Sequence, residues 1–100
     1  MELKFPHKFS KFEAMQRVKQ MLEGARIQPE FKEKITIEEE RWENSTLHFA
    51  FTAQGQHIEG TLEVKEKEFD IYAKLPLMMR LFEGKIKRAI EEQAKQVLGR

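Results

Sequence analysis

His7, His48, His57 and Ser10 are the first residues to weigh for chemistry in this sequence. A metal centre needs two or three ligands converging on one ion. His48 and His57 fall on adjacent predicted strands. The register read from the turns sets His48 opposite Glu63 and leaves His57 flanking a turn, so both read as surface histidines. His7 lies just before the first predicted helix and reads as a local capping or packing group in preference to a catalytic base. Ser10 lacks nucleophile-elbow glycines and a nearby His–Asp pair. The run Ser10-Lys11-Phe12-Glu13 has the form of a capping box instead. Glu38-Glu39-Glu40 reads as a solvated strand edge, which discourages pairing between sheets. The five glycines are scattered and form no phosphate-cradling loop. Cysteine is absent, which excludes thiol nucleophiles, thiolate metal sites and disulfides. The expectation is a non-enzymatic protein with no catalytic residue, metal or cofactor.

Charge narrows the partners. There are 18 Lys and Arg against 17 Asp and Glu, a net charge of +1. Acids and bases alternate, as in Lys65-Glu66-Lys67-Glu68, so nonspecific phosphate binding is not expected and only a local basic patch stays open. No apolar run has the length of a signal peptide or of a membrane span. The chain reads as a cytoplasmic, single α+β domain over residues 1–100, without a transmembrane segment.

The elements that position these residues follow from periodicity. Residues 2–5 suggest a short edge strand ended by Pro6. Phe12, Met15, Val18, Leu22 and Ala25 form a helical stripe, with Gly24 as its C-terminal stop and Pro29 beyond it. From Phe31 the period becomes two: Phe31, Ile35 and Ile37; then Leu47, Phe49 and Phe51; then Ile58, Leu62 and Val64; then Phe69, Ile71, Ala73 and Leu75. A turn at Gly55-Gln56 sets Phe49 opposite Leu62 and Phe51 opposite Gly60. A turn at Glu66-Lys67 sets Val64 opposite Phe69 and Glu59 opposite Lys74. Trp42 has the wrong parity for its strand, which predicts a bulge or loop near it. Leu75-Pro76 ends the last strand, and residues 77–98 predict one long amphipathic helix. Its apolar positions are Met78, Leu81, Phe82, Ile86, Ala89, Ile90, Val97 and Leu98; Phe82, Ile86, Ala89 and Ile90 set the inner line, with Met78 and Met79 on that side. The fold expected is two layers: an antiparallel meander of four strands, or five if residues 2–5 pair, with both helices on its apolar face.

Gly60-Thr61-Leu62-Glu63-Val64, Phe69-Asp70-Ile71, Leu75-Pro76, Phe82, Ile86 and Ile90 resemble the C-terminal half of a small bacterial family. Leu3, Phe5, His7, Ala14 and Val18 extend the likeness toward the N-terminus. The family is that of the putative polyhydroxyalkanoic acid system proteins, also called the polyhydroxyalkanoate granule-associated region. The resemblance implies a cytoplasmic protein associated with a polyester storage granule and supplies no catalytic residue.

Two places remain as candidates for binding. Gly60, flanked by Ala73 and Phe51 in the predicted register, makes a shallow place on the apolar face. Either a helix packs there, through Gly84, or it is a small apolar pocket. Leu77, Met78, Met79, Leu81 and Phe82 cover most of a helix circumference, so one face cannot bury them together. Burial under the N-terminal segment, a homodimer interface, and contact with a lipid or polyester granule surface all stay open for the surplus. By the helix geometry Leu77 points furthest from the core, with Leu81 next. The leading reading is a granule-associated accessory protein acting through that apolar surface. The alternative is a helix-grip-like module that binds an apolar ligand between the sheet and the C-terminal helix.

Overall fold

The computed structural model describes residues 1–98, and their side chains through residue 95. The elements run β1 (Glu2–Pro6), α1 (Lys11–Arg26), α2 (Pro29–Lys34), β2 (Ile35–Glu43), β3 (Thr46–Ala53), β4 (Gln56–Val64), β5 (Glu68–Lys74), α3 (Leu77–Arg80) and α4 (Glu83–Leu98). The strands form one antiparallel sheet in the order β1-β5-β4-β3-β2. The fold is therefore α+β with five strands, because residues 2–6 do pair at an edge, against β5.

The pairing of β4 with β5 is as predicted, with Val64 opposite Phe69, Leu62 opposite Ile71 and Glu59 opposite Lys74. The pairing of β3 with β4 is displaced by two residues. Phe49 faces Gly60, Leu47 faces Leu62 and Phe51 faces Ile58. The turn residues are Gln54 and Gly55, at φ 52° and 77°, instead of Gly55 and Gln56. A two-residue turn with both φ values positive matches the strand twist and favours glycine in its second place. A slip of two preserves the face of every side chain, so the apolar face survives the correction. His48 consequently lies opposite Thr61, not Glu63.

Three other expectations change. Phe31 belongs to α2, opened by Pro29 in its first turn, and β2 starts only at Ile35. The irregularity expected near Trp42 is a bulge at Glu38, where the pairing jumps from Ile37–Phe51 to Glu39–Ala50. The extra residue reverses the parity downstream and brings Trp42 onto the inner face, opposite Leu47. Gly24 does not stop α1, which continues to Arg26 with Ile27 as its cap.

The helices lie on the apolar face of the sheet. Ala14 and Val18 of α1 pack on Val64 and Phe69, ringed by Phe5, Phe9, Met15, Leu22, Trp42 and Leu62. Phe12, placed on this stripe by sequence, is 73% exposed, and Ala14 takes the inner position. A second cluster joins Ile58, Ala73 and Leu75 to Met1, Phe49, Phe51, Met79 and Ile86. Ser10 caps α1, its Oγ accepting the Glu13 N–H at 3.1 Å. Glu13 does not complete the box; its carboxylate takes Arg17, also at 3.1 Å.

The predicted long C-terminal helix is interrupted. The Phe82 N–H bonds the Met79 carbonyl three residues back, a tightened turn, and α4 starts at Glu83. Gly84, a weak helix former, follows in the next turn. Val97 and Leu98 have side chains outside the described residues.

Candidate functional site

The interruption sets the geometry of the C-terminal corner. Leu75 is buried at the end of the sheet, and Pro76 is the N-cap of α3, one place before the helical turn expected to begin with it. Met79 and Ile86, seven residues apart and nearly in phase on a helical repeat, both reach the second core cluster. The residues between and before them are left outside. Leu77 is 77%, Met78 70%, Leu81 83% and Phe82 55% exposed. Met78 and Phe82, assigned by periodicity to the inner stripe, are thus outward, because the break rotates the start of α3 against α4. Ala89 is exposed as well.

The corner is also basic. Residues 77–90 hold Arg80, Lys85, Lys87 and Arg88 against one carboxylate, Glu83. Lys87 takes Glu83 at 3.5 Å, and the Met1 ammonium lies 3.9 Å from the same side chain. Lys85 holds its ammonium 6.0 Å from the centre of the Phe82 ring. Arg80, Lys85 and Arg88 are exposed and have no ion pair among the described residues.

The second sequence candidate is placed differently. Gly60 is flanked by Ala73 and Phe49, with Phe51 two residues further along β3. A Cβ at Gly60 would lie 2.0 Å from the Tyr72 carbonyl oxygen and 2.9 Å from Ala73 Cα. The close approach is therefore by the backbone of β5. Gly84 is exposed and has nothing within 4 Å of its own Cβ position, so it does not pack on Gly60. A cavity of about 80 Å³ does lie between sheet and helices, lined by Phe5, Val18, Leu62, Ile71, Ile90 and Ala94 among others, with Gln93 also at its wall. None of Phe51, Gly60 and Ala73 lines it.

The residues first weighed for chemistry have structural engagements. His7 is 8% exposed, its ring tilted against Phe69 at 4.8 Å and stacked with Phe9 at 5.9 Å between centres. Its Nδ1 accepts the Phe9 N–H at 3.2 Å, so Nε2 carries the proton and donates to the Lys65 carbonyl at 2.8 Å. It fastens the segment between β1 and α1 to the turn between β4 and β5. His57 sits between two carboxylates on the open face, with Nδ1 2.9 Å from Glu38 and Nε2 3.3 Å from Glu59. The Glu59 contact first, then Glu38, holds the imidazole pKa above its ordinary value. His48 reaches Glu43 at 3.3 Å. Among the described residues no group of three or more His, Asp or Glu side chains is placed to hold a metal ion.

Sequence reasoning missed two polar arrangements. Glu40, read as solvated edge, is turned to the helix side by the bulge, where the Arg26 guanidinium grips both its oxygens. That contact pushes the Arg26 pKa up. Trp42's parity was the available signal, since Glu40 shares it. On the open face Lys65 meets Asp70 at 2.7 Å, with Glu68 beside them. A hydrogen bond from Glu68, then Lys65, lowers the Asp70 pKa, while Asp70 raises that of Glu68. The open face also carries Glu2, Glu39, Glu59 and Glu63, and is acidic overall.

No helix among the described residues is long and apolar enough to cross a membrane. No curated protein and no solved structure matches the chain. A family match runs over residues 1–98, from β1 through α4, and with it the chain belongs to the putative polyhydroxyalkanoic acid system proteins.

Proposed function

We propose that this protein is a non-enzymatic accessory protein of a polyester storage system, acting through the apolar corner at α3. The observation that carries this reading is the run Leu77, Met78, Leu81 and Phe82, four large apolar side chains more than half exposed within six residues. Contiguous exposed apolar groups mark contact surfaces, and flexible Met suits irregular partners. Moving each side chain fully out of water contributes about 1.5–3 kcal/mol, or roughly 6–12 kcal/mol for the four. Association costs are of the same order, about 4–15 kcal/mol. The two nearly cancel, so the corner by itself supports marginal, reversible attachment to the surface of a granule. The engagement of Ser10 as a cap, of both His7 ring nitrogens in structural bonds and of His57 by two carboxylates supports the non-enzymatic part.

The test combines sedimentation with polyester particles or lipid vesicles and the mass of the protein in solution. Leu77→Asp should leave the fold and mass unchanged and weaken cosedimentation. A shift from dimer to monomer instead would make the corner a homodimer interface. Unfolding by Leu77→Asp would show ordinary core and remove the reading. The cavity between α1, α4 and the sheet favours a second reading, an apolar-ligand module. It has walls too apolar to hold water well. Ala94→Leu, which narrows it, should abolish uptake of a small apolar probe such as xenon if that reading holds.

A further inference from the structure

Resting on the reading of the α3 corner as a surface contact, we infer that the surface it docks on is an anionic lipid layer. The occupant is set by charge. The corner combines Leu77, Leu81 and Phe82 with three exposed cations, Arg80, Lys85 and Arg88, that lack ion pairs among the described residues. The segment 77–90 has four cations to one carboxylate, in a chain whose net charge is only +1. Lys85 and Arg88 are three residues apart on α4, so they are neighbours on one helix surface. Lys85 lies beside Phe82, which places an ammonium directly next to the most insertable ring.

A neutral polyester or a second apolar protein face would leave these three charges unanswered. An anionic headgroup layer over hydrocarbon answers both halves, with cations at the headgroups and apolar side chains below. The acidic open face of the sheet lies away from the helices and is repelled by the same layer, which orients the corner toward it. An apolar insertion of this size gives marginal binding alone, and stable attachment takes a second, basic signal. Each cation near an anionic surface is worth about a fivefold gain in affinity, so three give on the order of 100-fold.

The experiment is cosedimentation of the full chain with two sets of vesicles, pure phosphatidylcholine and phosphatidylcholine containing phosphatidylglycerol. The expected result is binding about 100-fold tighter to the anionic set, lost progressively as salt rises past the range where the screening length is about 10 Å. The triple variant R80Q/K85Q/R88Q should lose the preference while melting like the parent chain. Should that variant fold poorly, the salt dependence of the unmodified chain decides the matter. Equal binding to both vesicle sets, with no salt dependence, overturns the inference. If Leu77→Asp still abolishes that equal binding, the apolar corner stands as a contact surface and only the anionic assignment fails. If Leu77→Asp has no effect on either set, the corner reading fails with it.

Discussion

Replacing Gly60 by alanine probes how closely β4 and β5 approach. The new methyl group would lie 2.0 Å from the Tyr72 carbonyl oxygen, 2.9 Å from Ala73 Cα and 3.0 Å from the Tyr72 carbonyl carbon. Ordinary contacts between such atoms need roughly 3.5 Å, so β5 must retreat by about 1 Å or more. The obstacle is backbone and has no rotamer to change. β5 is also pinned from its other side, since Ala73 and Met1 exchange backbone hydrogen bonds at 2.9 and 3.0 Å. Overpacking a core costs about 1–3 kcal/mol and more where nothing yields, so about 3 kcal/mol is expected. At this chain length that lowers Tm by about 12–24 °C. Thermal and urea unfolding followed by circular dichroism measure it. Gly24→Ala is the control: nothing lies within 4 Å of its Cβ position, and it sits inside α1. It should gain about 0.5–1 kcal/mol. A loss below about 4 °C for Gly60→Ala, or equal losses at both sites, would refute the close-approach argument.

Ser10→Ala removes the acceptor for the Glu13 N–H and should cost about 0.5–2 kcal/mol in thermal unfolding. The contacts of His57 with Glu59 and Glu38 raise its folded-state pKa above the unfolded value of about 6.5. Their stabilisation is therefore full below about pH 6.5 and fades as pH rises through the folded-state value. His57→Gln should lower Tm at pH 5.5 and match the parent at pH 9; a Tm difference that grows with pH contradicts the assignment. Leu81→Gln should change stability by less than about 0.5 kcal/mol, as at exposed positions elsewhere, whereas Met79→Ala, two residues earlier, should cost at least about 1 kcal/mol. Equal effects in urea unfolding would mean that the corner is not divided into an inner and an outer side.

The strands were legible because alternation leaves one choice of face. Any pairing that kept Leu62, Val64, Phe69 and Ile71 together gave the right layer, even with β3 displaced by two residues. The exact pairing depended on which residues adopt positive φ, and Gln54 at 52° carries no strong local signal for that. The bulge was legible only as a contradiction at Trp42. Its position at Glu38 depends on the three-dimensional match with β3, and with it goes the inward turn of Glu40 toward Arg26. Gly60 was recognisable as a place of close approach, but its sequence neighbours could not tell a helix from a strand as the approaching body. Phe12 was misplaced because its spacing fits the stripe, while the small Ala14 is what lets α1 lie close on Val64 and Phe69.

The corner itself is where sequence and structure disagree most usefully. An unbroken helix would place Phe82, four residues before Ile86, near the inner line and leave Leu77 and Leu81 outside. The bond from the Phe82 N–H to Met79 shortens that turn, and Phe82 turns outward to lie beside Lys85. Met79 keeps its place in the core at the same time. The break therefore adds an aromatic ring to the exposed set without removing the anchor that holds α3 to the sheet. A chain of this length, with a thin stability margin, gains nothing in folding from exposing Phe82. A contact surface gains a ring flanked by a cation, on a short helix anchored at Met79 on one side and Leu75 on the other.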